Sequence, residues 1–271
     1  MILVDDGADG DDSHDSHDSH DSHDSPAVSE WELPSDSRFR LLRNRRHTGP
    51  AGARNAGAAQ AVGELLFFTD ADCELASGTL ECAAAHLAGA PLLAGNTVTR
   101  PRTFFGRAVA LLGFPGGGSL GFDQVWRVDS SGNTESISSC NFAIRKSVFA
   151  ELGGFDPTFP VAGGEDTVLG RLAIARGYRI KYVASQLVYH SGRESLRSFV
   201  TWQITRGRGC FHIARRIDGL GRFARLRVWS FLNSLRAAGP LYAPLVLVLW
   251  TLLVVLQGVG YGLERERWDT L

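Results

Sequence analysis

Two short acidic stretches in this 271-residue chain have the residue types and spacing to do chemistry. The first is TDAD, which puts Asp70 and Asp72 two apart behind the apolar run LLFF. Two carboxylates on one side of an extended turn can meet a single divalent cation. Mg²⁺ or Mn²⁺ takes such hard oxygen ligands and keeps places open for phosphate oxygens. A solvated turn at a strand end would carry the same residues. The second is GGED, where Glu165 and Asp166 follow two glycines and open a helical pattern. A carboxylate there can be a general base aimed into a cleft. By position alone, a helix-capping acid is the favoured reading. A third stretch is more conspicuous: Ser-His-Asp repeats, with His14, His17, His20 and His23 three residues apart. Flexible His/Asp runs bind Zn²⁺ or Ni²⁺ weakly, but a polar repeat between two folded pieces reads first as a disordered insertion over residues 8–30.

The elements that must hold these acids alternate. Met1 to Val4 reads as a strand, as does Phe39 to Leu42. Ala51 to Ala61 is a small-residue helix stopped before Gly63. Leu65 to Thr69 is a strand delivering Asp70. A helix is expected over Leu75 to Leu87, then a strand over Leu92 to Val98. Residues 100–135, broken by Pro115 and several glycines, read as a loop with one helix. Asn141 to Ile144, Arg179 to Val183 and Leu187 to His190 read as strands, with helices over Lys146 to Leu152 and Thr167 to Arg176. Strand–helix alternation predicts an α/β layered sheet. In such sheets ligands bind beyond the carboxyl ends of the strands, where TDAD falls.

Composition narrows the class. Hydrophobic residues make up 44% of the chain, enough for a packed core, and the formal net charge of −1 argues against nucleic acid as a partner. Cys73, Cys82, Cys140 and Cys210 form no C-x-x-C pair and read as reduced thiols of a cytosolic domain. Leu241 to Leu263 carries no charge and is long enough to cross a bilayer. The Arg-rich residues 211–238 read as a basic amphipathic helix at a membrane surface. The expected layout is a catalytic domain over 1–210, that interfacial helix, a single span over 239–263, and a short tail. The basic flank places the catalytic domain at the cytoplasmic face of the cell membrane.

Four pieces in order resemble the family 2 glycosyltransferases of GT-A fold: VDDG at 4–7, ARNAG with GELLFFTDAD at 53–72, SCNFAIRKSVFAELGGFD at 139–156, and GGEDTVLGRLAIARGYRI at 163–180. The resemblance implies a GT-A, Rossmann-like mixed sheet flanked by helices. It also implies transfer of a sugar from a nucleotide-sugar donor to a glycan or lipid-linked acceptor, assisted by Mg²⁺ or Mn²⁺, with inversion. Residue by residue, it implies that Asp5 and Asp6 contact the nucleotide, that Arg54 and Asn55 lie beside base and diphosphate, and that Asp70 and Asp72 form the metal-binding pair. It makes Asp166 the catalytic base and Glu165 its acidic neighbour. His190 matches a position near metal or diphosphate, although a structural hydrogen bond would serve a strand-end histidine equally well.

Two departures qualify the match. Family members usually open with a strand and helix before VDDG, so this chain is expected to lack part of the donor pocket. That leaves a second possibility: a catalytically weak, membrane-anchored relative that serves as a binding or assembly subunit. Processive members carry Q-x-x-R-W where this chain has Gln203, Arg206 and then Gly207. With glycine in that place, an interfacial helix with Arg on its polar face is the expectation, not a polysaccharide synthase.

Overall fold

A computed structural model describes residues 1–6, 36–44, 46–113, 127–217 and 220–270, with 220–226 described as backbone only. The SHD repeat lies outside the described residues, as do residues 114–126 of the expected loop and the side chains of 218–226.

The sheet is mixed and has six strands. Strands β3 (Leu65–Phe68), β4 (Cys73–Leu75), β5 (Leu92–Arg100), β7 (Phe142–Arg145) and β8 (Ile180–Ser191) run in the order β3-β7-β5-β8-β4, and the short β6 (Asn133–Thr134) pairs with β8. The central strands are rows of buried apolar residues: Leu92, Leu93, Ala94, Phe142, Ala143 and Ile144 are all fully buried. That is what a sheet covered on both faces requires. Helices α1 (Gly49–Gln60), α2 (Thr79–Leu87), α4 (Lys146–Leu152) and α5 (Glu165–Ala175) flank it. Phe68, Phe149 and Phe155 pack ring against ring at 5.2–5.6 Å beside the sheet, and Phe142 stacks on Phe68 at 5.8 Å. All four cysteines are free thiols.

Four elements differ from the sequence expectation. Leu75, expected to open a helix, instead ends strand β4 (Cys73–Leu75), whose backbone pairs antiparallel with β8, Cys73 opposite His190. Helix α2 starts only after Gly78, whose φ of 80° is a left-handed turn that glycine adopts without strain. The two expected closing strands are one strand, β8, joined through an irregularity opposite Gly95 and Asn96. Buried Asn141 stabilises that irregularity, donating to the carbonyls of Asn96 at 2.8 Å and Gln186 at 3.0 Å. Gly95 leaves room for it, since a Cβ there would overlap the Asn141 amide. Helix α5 begins two residues earlier than expected, which puts Glu165 and Asp166 in its first turn.

Strands β1 (Ile2–Asp5) and β2 (Arg40–Arg43) form a separate parallel pair. Among the described residues β1 pairs only with β2 and β3 only with β7. A groove of about 620 Å³, lined by Val4 on one side and Leu66 and Phe68 on the other, lies between the two sheets.

The C-terminal part is helical. Helix α3 (Phe104–Ala110) follows β5. Helix α6 (Leu196–Arg216) runs through residue 210 without a break, and α7 (Leu220–Asp269) follows, kinked at Gly239. Helix α7 is long and apolar enough to cross a membrane. It is not a free-standing span in this structure. Gly207 of α6 meets the Gln257 backbone and Gly260 of α7 meets the Ile204 carbonyl, so these two helices touch backbone to backbone.

Candidate active site

Helix α5 begins at a glycine pair whose φ values, 92° at Gly163 and 132° at Gly164, are closed to most side chains. The room is also missing: a Cβ on Gly164 would press on Phe159 and Ile213. This turn presents the two acids differently. Glu165 is buried, accepts from the Gly163 amide at 3.0 Å and is ion-paired with Arg54 at 2.6 Å. Asp166 opens to a cavity of about 180 Å³, and among the described residues no cation pairs with it at salt-bridge distance. Its carboxylate accepts from the Thr167 amide at 2.7 Å and the Ser139 amide at 3.3 Å. Burial, then the neighbouring Glu165 charge, pushes the Asp166 carboxyl up to about 6, against the pull of Arg206, Arg54 and the Thr167 amide. A carboxylate poised there is suited to take a proton near neutral pH.

Arg54, on α1, joins the two motifs. It donates to Asp70 at 2.7 Å as well as to Glu165, and its guanidinium sits over the Phe155 ring at 5.6 Å. Burial alone would lower its pKa, but the flanking Asp70 and Glu165 charges outweigh burial and hold it protonated. Asp70 is therefore turned toward Arg54.

The metal-competent pair is Asp72 with His190. The carboxylate Oδ2 and imidazole Nε2 are 3.3 Å apart, brought together by the β4–β8 register. His190 Nδ1 donates to the Ser191 carbonyl, which leaves Nε2 as the ring nitrogen that faces Asp72. Two lone-pair donors converging in this way suit a cation between them. Cys73 lies close enough to be a third donor, but its thiol is held protonated by a hydrogen bond with Cys140 and by burial. Asp72 and His190 thus offer one carboxylate oxygen and one imidazole nitrogen, with the Cys73 sulfur within reach, and the set fits a divalent cation.

The structure does not bring every expected residue to this cavity. Asp6 accepts from Asn44 at 2.7 Å and from the Thr48 amide and hydroxyl at 3.0 and 2.6 Å, which fixes the entry to α1. Asp5 lies 3.7 Å from Arg43. Asn55 makes a two-way bond with the Phe155 backbone at 2.7 and 2.9 Å, so its amide secures the turn after α4 instead of facing the cavity. Conversely, Trp202 and Arg206 line the cavity one helical turn apart on α6, opposite Asp166. The interfacial-helix reading of TWQITRGRG missed them. The i, i+4 spacing was visible, but nothing local says which way that face points. Gln203 is fully buried and accepts from Gln257 at 2.7 Å.

Comparison with known proteins identifies the fold and the family. The chain is 27% identical over 205 residues to a pre-mycofactocin glycosyltransferase of Mycobacterium tuberculosis, covering 74% of this chain and 39% of the relative. It is 26% identical over 189 residues to a probable N-acetylgalactosaminyltransferase 6 of Caenorhabditis elegans, covering 60% and 28%. The chain thus spans well under half the length of these curated relatives. Among solved structures it superposes on a mannosyltransferase from Pyrobaculum calidifontis in complex with GDP-Man and Mn²⁺, with TM-score 0.53, 21% identity, and 86% of this chain and 70% of that one covered. It also superposes on GalNAc-T7 with UDP, GalNAc and Mn²⁺, with TM-score 0.52, 19% identity, and 75% and 40% covered. At such identities these likenesses establish the fold, GT-A. The sequence model described as glycosyl transferase family 2 matches residues 1–153, more than half of the 271 residues, and the chain belongs to that family.

Proposed function

We propose that this protein transfers a sugar from a nucleotide-sugar donor to an acceptor hydroxyl in one inverting displacement, with Asp166 as general base. The observation that carries this reading is the division of labour between adjacent acids. Glu165 is neutralised by Arg54, whereas Asp166 faces the cavity with its carboxyl pushed up to about 6. The Asp166 carboxylate takes the acceptor proton as the acceptor oxygen bonds to the anomeric carbon. The bond from that carbon to the diphosphate breaks on the opposite face, and the nucleoside diphosphate leaves. Asp72 and His190 would hold a divalent cation, which when bound supplies positive charge to stabilise the leaving diphosphate. An imidazole in the donor set suits Mn²⁺ better than Mg²⁺. Arg54 keeps Asp70 and Glu165 in place, and Arg206 adds a second positive charge to the cavity wall.

The solved neighbours carry UDP or GDP-mannose, which supports a nucleotide-sugar donor here. The apolar helix α7 supports action at a membrane, on a glycan or lipid-linked acceptor. Its basic approach favours attachment at the cytoplasmic face of the cell membrane through this one segment. A second reading, a catalytically weak binding or assembly subunit, draws support from the groove between β1 and β3 and from the internal use of Asp6 and Asn55. Screening nucleotide sugars for turnover with Mn²⁺ or Mg²⁺ separates the two. Metal-dependent transfer or donor hydrolysis supports the first reading, and donor binding without turnover supports the second.

A further inference from the structure

We propose that the Pro240–Asp269 half of α7 lies in the plane of an anionic lipid surface, its outer face dipped into the bilayer, instead of crossing it. This rests on the membrane reading above and specifies how attachment is made.

The helix is packed along its length by the rest of the protein. Tyr242 stacks on Phe104 of α3 at 4.7 Å, and Trp250 meets Phe231 at 5.5 Å. Gln257 bonds to Gln203 at 2.7 Å and to Arg227 at 3.0 Å. Glu264 accepts from Arg208 at 2.7 Å and pairs with His212 at 2.8 Å. The inner stripe Val246, Leu249, Trp250 and Leu253 forms one cluster with Val109 and Phe199. Val109 also lines the catalytic cavity. If this segment stood across a bilayer, that cavity, with Asp72, Asp166 and Arg206, would sit at the depth of the acyl chains. Charged groups there are strongly disfavoured.

The outer face tells the opposite story. Leu241, Val248, Val255 and Val259 follow helical spacing and are 47–72% exposed. Phe104, also exposed, extends this face where it stacks on Tyr242. The most apolar 18-residue window has a mean hydropathy of 2.2, yet only 22% of it is buried, so it is not a core helix of a water-soluble domain. Both ends carry exposed arginine, Arg236 before the kink and Arg265 near the end, the latter 3.9 Å from Asp269, while Trp268 packs inward on Phe211 and His212. An exposed apolar face flanked by arginine at both ends matches the interfacial zone of a membrane with anionic headgroups.

The test uses the full chain and sealed vesicles of phosphatidylcholine with phosphatidylglycerol. Arg236→Cys and Thr270→Cys, in separate proteins, are exposed to a membrane-impermeant maleimide on the floated fraction, and labelling is read by peptide mass so that native cysteines do not interfere. An in-plane helix leaves both sites labelled from outside to similar extents. Labelling of Thr270→Cys only after detergent overturns the proposal. Independently, Val248→Glu with Val255→Glu should reduce flotation about tenfold or more and leave nucleotide binding by calorimetry unchanged. Unchanged flotation overturns the proposal, and if sedimentation shows a dimer becoming a monomer at the same time, the face belongs to a second copy of the chain. Failure of the parent protein to bind any nucleotide would sink the functional reading without altering the flotation result.

Discussion

Arg54 donates to Glu165 at 2.6 Å across 111 residues of sequence. That bond determines which of two adjacent acids is available for chemistry. It binds Glu165 into an ion pair also anchored by Asp70 and leaves Asp166 as the carboxylate whose protonation can change within the cavity.

Asp166→Asn should abolish sugar transfer, by about 10²-fold or more, since general-base catalysis contributes on that scale. Donor binding by calorimetry should stay near the parent value. Near-normal turnover in this variant would remove Asp166 from the mechanism. Glu165→Ala should fail differently: it leaves the buried Arg54 with Asp70 as its remaining partner and one guanidinium N–H unmatched, and should cost about 1–3 kcal/mol of stability in chemical denaturation.

The pH profile follows from the raised carboxyl of Asp166. The base must be ionised to accept a proton, so kcat/KM should climb with pH and level off above about 6. Arg206→Gln removes a charge that holds this carboxyl down, so the acid limb should move to higher pH. The stability linkage has the opposite sense. A carboxyl raised from 3.8 to about 6 binds protons more tightly in the folded state. Its contribution is therefore complete below 3.8 and is lost as pH rises through 6. An acid limb unmoved by Arg206→Gln would separate the two residues.

Metal dependence should track Asp72 and His190 more closely than Asp70. Asp72→Ala and His190→Ala should each weaken Mn²⁺ binding, followed by electron paramagnetic resonance, by about 10-fold or more. Asp70→Asn should have a smaller effect on the metal and a larger one on stability, because its partner is Arg54. Equal loss of Mn²⁺ in Asp70→Asn and Asp72→Ala would restore the expectation that both carboxylates ligate.

Gly207→Trp would recreate the Q-x-x-R-W spacing, yet it should damage the protein. A side chain there overlaps the Gln257 backbone, so α7 must shift away from α6. Overpacking of this kind costs about 1–3 kcal/mol and sometimes more. Limited proteolysis should show α7 released while α1 to α5 stay protected. Protection of α7 equal to that of the parent chain would mean the contact is not needed.

The departure at Gly207 illustrates what was legible. Its identity was plain in the sequence and marked the chain as unlike processive members. Its reason was not, because the partner that excludes a side chain lies 50 residues away at Gln257. The same holds for Cys73–Leu75. Leu75 reads locally as the start of a helix, but pairing with β8 overrides propensity, and the same register sets Asp72 beside His190. Asn55 and Asp6 were recognisable as parts of their motifs. Only their hydrogen-bond partners, Phe155 and Thr48, showed that they secure turns.

By itself the sequence determined the layered α/β class, the acids at TDAD and GGED, the family and the existence of a long apolar helix. These depend on short-range pattern: periodicity, strand-end acids, glycine turns and hydropathy. The tertiary structure alone decided which acid Arg54 neutralises, that Asp70 turns to Arg54 while Asp72 stands beside His190, that Trp202 and Arg206 face the cavity, and that α7 lies along α3 and α6. Each of these is a contact between residues far apart in the chain. Direction, burial and charge at such a contact are set by the packing of whole elements, which no local window contains.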